Sequence, residues 1–256
     1  MSLRTQLLVV LVALPALAAP RDFPFAWTNR TNAAGENGVE AWFTPRIERT
    51  TDFVQFDSRI AWSRGVTNAL ESQLSLDFDI THTNAGDRID PRMSSLWRWA
   101  VWRGTEVPIQ LGGQGRFAIA PDMVELEARL VFDVEVGRVL FAFNASGTRS
   151  IFWNGRTGID TRLEENLALR YQFSSFASFG LEARGRSAWA ANDYQGTAIY
   201  LGPVLTITAT HFWVSLGGLT QIAAVKNEAD KALPEPMTLR DNERFVLRIA
   251  FGAITK

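Results

Sequence analysis

Cysteine is absent from the 256-residue chain, and lysine nearly so. The lack of cysteine excludes disulfides, cysteine-ligated zinc, iron–sulfur clusters and lipoprotein acylation. Of the 26 basic residues only Lys226, Lys231 and Lys256 are lysines, so arginine carries almost all of the positive charge. Because the formal net charge is −1, the chain has no excess of positive charge with which to bind a nucleic acid.

Long hydrophobic runs are missing except at the N-terminus. There, Arg4 precedes an apolar run over residues 7–19, and residues 16–18 have the small-x-small pattern of a cleavage site. We therefore predict a secretory signal peptide over residues 1–18, too short for a spanning helix. No later segment has 18 consecutive apolar residues, so the exported chain is expected to lack a membrane helix.

The rest of the chain shows a period of two. In residues 68–80, NALESQLSLDFDI, five apolar side chains and one serine occupy the even positions from 70 to 80, and acidic, amide and serine side chains occupy the odd positions from 71 to 79. A strand places such sets on opposite faces, whereas a helix would scatter them. The twelve predicted strands lie at about 38–47, 52–64, 68–80, 94–103, 105–119, 122–133, 136–146, 161–174, 178–190, 196–208, 211–224 and 243–254. The alternation is weakest in strands 4, 7 and 11, and a slip of one residue in strand 4 would turn Trp97 and Trp99 to the other face.

Strand lengths and connections predict a membrane barrel. Most strands exceed the ~5–6 residues usual in globular sheets and suit a tilted spanning strand. Connections after even-numbered strands are tight, whereas long ones, at 81–93, 147–160 and 225–242, follow odd-numbered strands only. This asymmetry is typical of outer-membrane barrels with extracellular long loops. We predict an all-β fold, a single antiparallel up-and-down transmembrane β-barrel of about 12 strands over residues 38–256, preceded by a periplasmic segment at 19–37.

The polar face of the predicted strands carries ten acids, ten arginines and no lysine. Because arginine keeps its charge and its planar fork matches carboxylates, this balance predicts a narrow lumen in which acids and bases pair. The apolar face then meets lipid, and the sheet must close because hydrocarbon cannot satisfy backbone groups. The candidate lumen and constriction residues are Arg59, Arg129, Arg170, Arg184, Arg248, Asp57, Asp77, Glu125, Glu127 and Glu182.

Aromatic side chains are abundant, with 9 Trp and 17 Phe. Trp62 and Phe173 lie near the predicted tight turns, and Trp189 and Phe245 near the long connections, so they are candidates for the two aromatic girdles of a membrane barrel. The alternative is that these aromatics form the core of a secreted sandwich.

Residues 35–78, GENGVEAWFTPRIERTTDFVQFDSRIAWSRGVTNALESQLSLDF, resemble the opening of a broad group of Gram-negative outer-membrane barrels. The shared features are a first strand with a Trp near an Arg and an R-G-x-T-x-x-L-x-x-x-L turn into the third strand. The group is similar to transporters of the phenol-degradation MetA type, and the resemblance implies an outer-membrane barrel. Such barrels usually end in an aromatic residue that the insertion machinery reads, whereas here Phe251 lies five residues before the end.

Residues suited to catalysis are few. The two histidines, His82 and His211, are predicted at opposite ends of the barrel and cannot share a site. His82, with the serines of residues 94–95 across its loop and with Asp77 and Asp79 below it, resembles an acid–histidine pair that activates water. The His-x-Ser-Asn-Gly motif of outer-membrane phospholipases is absent. A solvated histidine at the rim is the simpler interpretation.

Two carboxylate pairs, Asp77/Asp79 and Glu125/Glu127, have i, i+2 spacing and face the lumen together. They would suit a glycosidase-like dyad or a cation site, but ten arginines in the same interior favour salt bridges. The sequence GGQG at 112–115 lies within a strand without a following helix or Lys, and it predicts a bend or close packing rather than a phosphate loop. We therefore assign no catalytic residue, metal or cofactor.

These features predict a non-enzymatic, porin-like barrel of a Gram-negative outer membrane that passes a small solute passively through a charged lumen. A closed structural or surface-binding barrel that acts through its extracellular loops is the alternative, and a hydrolase centred on His82 is the third hypothesis. The expected partners are outer-membrane lipid and lipopolysaccharide, the barrel-insertion machinery, periplasmic chaperones and the solute, with no nucleic acid.

Overall fold

The computed structural model describes residues 21–47, 54–83, 86–103, 108–153, 158–228, 231–232 and 242–255, so the predicted signal peptide lies outside the described residues. All twelve predicted strands are present. They are β1 (Asn37–Ile47), β2 (Val54–Thr67), β3 (Leu70–Thr83), β4 (Gly86–Arg103), β5 (Ile109–Ile119), β6 (Met123–Val136), β7 (Val139–Phe152), β8 (Gly158–Gln172), β9 (Ala177–Ala190), β10 (Asp193–Thr208), β11 (Phe212–Val225) and β12 (Phe245–Thr255). Of the described residues, none belongs to a helix long and apolar enough to cross a membrane.

Each strand pairs antiparallel with its neighbours in sequence, and β1 also pairs with β12. The closing register runs from Asn37 opposite Thr255 to Ile47 opposite Phe245. Closure leaves no unpaired sheet edge, so the strand backbones satisfy their own hydrogen bonds. The fold is a closed antiparallel barrel of twelve strands, which confirms the predicted fold class.

Side chains alternate between the outside and the lumen as the period of two predicts. Leu130 is outward and 50% exposed, whereas Glu71 is inward and 1% exposed. Trp97 and Trp99 are outward and exposed, so the register of β4 agrees with the sequence. Because the outward positions are mostly Leu, Ile, Val and aromatic residues, the outer surface is apolar.

Two of the predicted long loops are instead extended hairpins. Only residues 84–85 separate β3 from β4, and only 153–157 separate β7 from β8, so most of the predicted loops 81–93 and 147–160 is paired strand. The physical reason is that the alternation continues beyond the predicted strand ends, and cross-strand pairing satisfies the backbone there.

Aromatic side chains lie near both ends of the barrel. Trp62 and Phe173 point outward near the turns that follow even-numbered strands, which we call the short turns. At the opposite end, the ring of Trp189 lies 5.5 Å from that of Tyr194. Phe245 is the residue at which β12 begins, opposite Ile47.

Candidate functional site in the barrel lumen

Residues 21–32, which we call the lumen segment, lie inside the barrel. Phe23 and Phe25 in this segment are almost completely buried. The segment contacts Asp133, Arg170 and Thr206, each within three residues of the end of its strand at the short turns. Residues 21–32 of the predicted periplasmic segment therefore lie in the half of the lumen nearer to the short turns, whereas Asn37 at its end belongs to β1.

Side chains of the barrel wall satisfy the backbone of the lumen segment. The amide of Ala26 donates to Glu182 Oε1 at 2.5 Å, and the amide of Phe25 donates to the same carboxylate at 3.3 Å. The amide of Trp27 donates to Asn144 Oδ1 at 2.6 Å, while Asn144 Nδ2 donates to the Trp27 carbonyl at 2.9 Å. Because buried backbone groups need partners, these side chains take the place of a neighbouring strand.

The remainder of the lumen segment is held in the same way on β6 and β3. The amide of Asn29 donates to Asp133 Oδ1 at 2.7 Å, and its side chain donates to that atom at 2.8 Å. The amide of Asn32 donates to Glu71 Oε2 at 2.7 Å. The segment is thus fixed by hydrogen bonds to wall side chains along most of its length.

A buried acid anchors the beginning of the segment. Asp22 is completely buried and forms ion pairs with Arg170 of β8 and with Arg30 of the segment itself, the latter at 3.3 Å. Arg30 also pairs with Glu135 at 2.8 Å. The neighbouring carboxylate of Asp22, helped by that of Glu135, holds the pKa of the Arg30 guanidinium above its ordinary value. The charges of Asp22 and Arg30 are therefore matched by each other and by those of the wall.

Aromatic rings of the segment and of the wall stack with arginines. Trp27 meets Trp42 of β1 edge to face, with ring centroids 6.2 Å apart. The guanidinium of Arg21 lies 3.7 Å from the Trp27 ring centroid and 4.3 Å from that of Trp42. Arg248 of β12 lies 4.4 Å from the ring centroid of Phe25. Cation–π contacts of this kind are worth most where water is excluded.

Glycines of the wall make room for the segment. A Cβ at Gly217 of β11 would collide with the ring of Pro24. A Cβ at Gly112 of β5 would collide with the side chain of Asn29. This confirms that the GGQG sequence at 112–115 marks close packing.

The lumen segment separates spaces of very different size. On the side away from the short turns is a cavity of about 180 Å³, the central chamber, which has Phe25, Trp27 and Trp42 among its lining residues. It adjoins a wider cavity of about 720 Å³, the vestibule, which is lined by residues near the opposite end such as Arg88 and Asp122. On the short-turn side a cavity of only about 40 Å³ remains beside Arg21, Trp27 and other residues.

The fold is that of outer-membrane channels. The chain is similar to an outer membrane channel from Pseudomonas putida F1, with a TM-score of 0.64 and 10% identity over 89% of this chain and 98% of that one. For the NanC porin the TM-score is 0.55, with 12% identity over 85% and 98% of the two chains. For the KdgM porin, solved in complex with disordered oligogalacturonate, the TM-score is 0.53, with 9% identity over 84% of this chain and 98% of that one.

No protein-family model and no curated protein sequence matches the chain. At identities of 12% or below, the three likenesses show a shared fold and nothing finer. The resemblance to MetA-type transporters stays a prediction.

All ten residues predicted to face the lumen do so, in two groups. Arg170 and Glu182 bind the lumen segment. The other eight line the central chamber, namely Asp57, Arg59, Asp77, Glu125, Glu127, Arg129, Arg184 and Arg248. Their role as a constriction stays a prediction.

The carboxylate pairs form salt bridges, as the abundance of arginine predicted. Asp77 pairs with Arg59 and with Arg116, and Glu125 and Glu127 also pair with Arg116. Among the residues that the structure describes, no group of three or more His, Asp or Glu is arranged to hold a metal ion.

The serines predicted near His82 lie elsewhere. His82 Nδ1 is 2.5 Å from Asp87 Oδ1 at the exposed end of the β3–β4 hairpin. Ser94 instead pairs across the sheet with Ser75, and their hydroxyl oxygens are 2.6 Å apart. His211 lies in the β10–β11 turn, where its carbonyl accepts from the Ile254 amide at 2.9 Å. The acid–histidine–serine arrangement considered from the sequence is therefore not assembled.

Proposed function

We propose that this chain is an outer-membrane, porin-like channel for a small solute and that the lumen segment holds it closed at its short-turn end. One observation carries the proposal: residues 21–32 lie across the lumen between a space of about 720 Å³ and one of about 40 Å³. The apolar outer surface of a closed barrel supports a location in a membrane. The fold shared with outer-membrane porins supports passage of a solute.

The way in which the segment is bound suits reversible closure. Among the described residues it has no strand pairing with the wall and no covalent cross-link to it. Each of its hydrogen bonds contributes only about 0.5–1.5 kcal/mol net, or about 1.5–3 kcal/mol where the partner is charged. The wall groups that hold it are polar or charged, so water can replace the segment when it leaves. Gly35, with a φ of 84°, forms a turn between the segment and β1. This turn is a suitable hinge, because glycine adopts such a backbone without strain.

A reversible disulfide between the segment and the wall tests the proposal. A Cβ at Gly217 would lie 3.5 Å from that of Pro24, within the usual ~3.5–4.5 Å range of disulfides. Since the chain contains no cysteine, Pro24→Cys combined with Gly217→Cys gives one defined bridge. In planar bilayers we expect no conductance steps from the oxidised protein and discrete steps after reduction with dithiothreitol.

The single variant Pro24→Cys is the control, and its conductance should not respond to the redox state. Equal conductance of the oxidised and reduced double variant would mean that solutes pass without displacement of the segment. A folded barrel with no steps in either state would favour the alternative, a closed structural or surface-binding barrel.

A further inference from the structure

Charged side chains surround the junction between the vestibule and the central chamber. Both cavities are lined by the same four arginines and three carboxylates, namely Arg92, Arg162, Arg184, Arg248, Asp57, Asp79 and Glu125. A solute that moves from the vestibule towards the lumen segment must pass these seven groups.

The three carboxylates of the junction are already paired. Asp79 pairs with Arg92 at 2.5 Å, and Asp57 lies 3.4 Å from Arg46. Glu125 pairs with Arg116 and accepts from Ser150 Oγ at 3.2 Å. None of the three is left to neutralise a further arginine by direct contact.

Two arginines of the junction have no carboxylate of their own. Arg184 is matched by Glu164 at 2.5 Å. Arg248 donates instead to neutral oxygens, Thr44 Oγ1 at 2.8 Å and the Pro24 carbonyl at 3.0 Å. The side chain of Arg162 has no hydrogen bond or ion pair to any other described residue, and its Nε is buried without a partner. Positive charge therefore exceeds negative charge here, in surroundings that screen it less than bulk water does.

We propose that this junction binds a small organic anion, with Arg162 and Arg248 as the residues that hold its carboxylate or phosphate group. Guanidinium groups bind such oxyanions through two parallel hydrogen bonds, and these charge-assisted bonds are about twice as strong as neutral ones. The vestibule, at about 720 Å³, lies within the ~300–1,000 Å³ typical of small-molecule sites. This site identifies small organic anions as the solute class of the proposed channel. Its biological role therefore rests on the proposed channel function.

Binding can be measured without conductance, by isothermal titration calorimetry of the refolded protein in detergent. The probes are succinate and inorganic phosphate, and succinamide is a neutral control of similar size to succinate. We expect at least one of the two anions to bind, and succinamide not to bind. Arg162 is the residue to replace first, because it has no contact with the lumen segment, whereas Arg248 contacts it.

Arg162→Gln should weaken binding at least about tenfold, since a hydrogen bond to a charged group is worth about 1.5–3 kcal/mol. Arg162→Lys keeps the charge and should retain part of the affinity. The matched control is Arg149→Gln, because Arg149 lies on β7 and is exposed on the outer surface. Heat-modifiable migration on a gel checks that each variant is folded.

No binding of either anion, or an equal loss in Arg149→Gln, would overturn the anion site. Equal binding of succinamide would also overturn it, because the site would then not recognise charge. A failure of the anion site can be distinguished from a failure of the channel function. If the barrel binds anions but never conducts, the anion site stands and the channel function is contradicted.

Discussion

Asn144 on β7 forms hydrogen bonds with both backbone groups of Trp27, at 2.6 Å to the amide nitrogen and 2.9 Å to the carbonyl oxygen. A neighbouring strand would normally make this pair of bonds, and here one fully buried side chain makes them across the lumen. These two hydrogen bonds attach the middle of the lumen segment to the wall. It is therefore a place where one substitution should change the closure of the barrel.

We predict that Asn144→Ala favours the displaced segment. Two hydrogen bonds of about 0.5–1.5 kcal/mol each are lost, which shifts the equilibrium by about 1–3 kcal/mol, or about 5- to 150-fold. The measurement is the fraction of time open in single-channel recordings. The control is Asn166→Ala, because Asn166 lies opposite Asn144, is equally buried, and donates to Glu164 rather than to the segment. An equal rise in that control would mean that the wall, and not the segment, had loosened.

We predict that Gly217→Ala also displaces the segment, for a steric reason. The three atoms nearest to the added methyl group belong to Pro24 and Phe25, so the strain falls first on the segment. Overpacking of this kind costs about 1–3 kcal/mol, and the open fraction should rise accordingly. Gly218→Ala is the neighbouring control, since its methyl group meets only the outer side chain of Leu247. A rise in the control alone would contradict this explanation.

The barrel was predictable because its signal is repeated along every strand. In β3 the alternation from Leu70 to Asp79 fixes which face is buried, and the same rule orients Trp42 inward and Trp97 outward. A one-residue slip would invert a whole face, so each strand constrains its own register. What the sequence missed were the strand ends, because Arg92 of β4 and Arg149 of β7 continue the pattern into stretches that were predicted as loops.

The lumen segment was not predictable in the same way. In RDFPFAWTNRTN, residues 21–32, Phe23, Phe25 and Trp27 alternate with Pro24 and Ala26, which are not polar, and the alternation stops there. The stretch therefore carries no local signal of where it lies. Its position depends on groups far away in sequence, such as Glu182, which lies 156 residues from Ala26. The available hint was indirect: three large aromatic rings within five residues, Phe23, Phe25 and Trp27, are an unusual choice for a segment that is simply exposed to water.

We predict that amide exchange in the segment depends on individual wall residues. Glu182→Gln replaces a charged acceptor of the Phe25 and Ala26 amides, and their exchange should become about 10- to 150-fold faster. The Asn32 amide, which donates to Glu71, should be accelerated by a similar factor, because displacement about Gly35 frees the whole segment at once. Hydrogen–deuterium exchange read by NMR separates these amides. Acceleration at Phe25 and Ala26 alone would mean that the segment opens only locally and does not leave the wall as one unit, contrary to this prediction.

We predict that the cost of placing a charge on the outer surface depends on its depth in the membrane. Leu130 points outward near the middle of β6, and Val136 points outward at the short-turn end of the same strand. If lipid covers this face, Leu130→Arg should lower the free energy of unfolding by about 2–4 kcal/mol and Val136→Arg by only about 0–1 kcal/mol. Denaturant unfolding in phosphatidylcholine vesicles measures both. On a face in contact with water both changes would stay within about 0.5 kcal/mol, so two small and equal effects would contradict the membrane location.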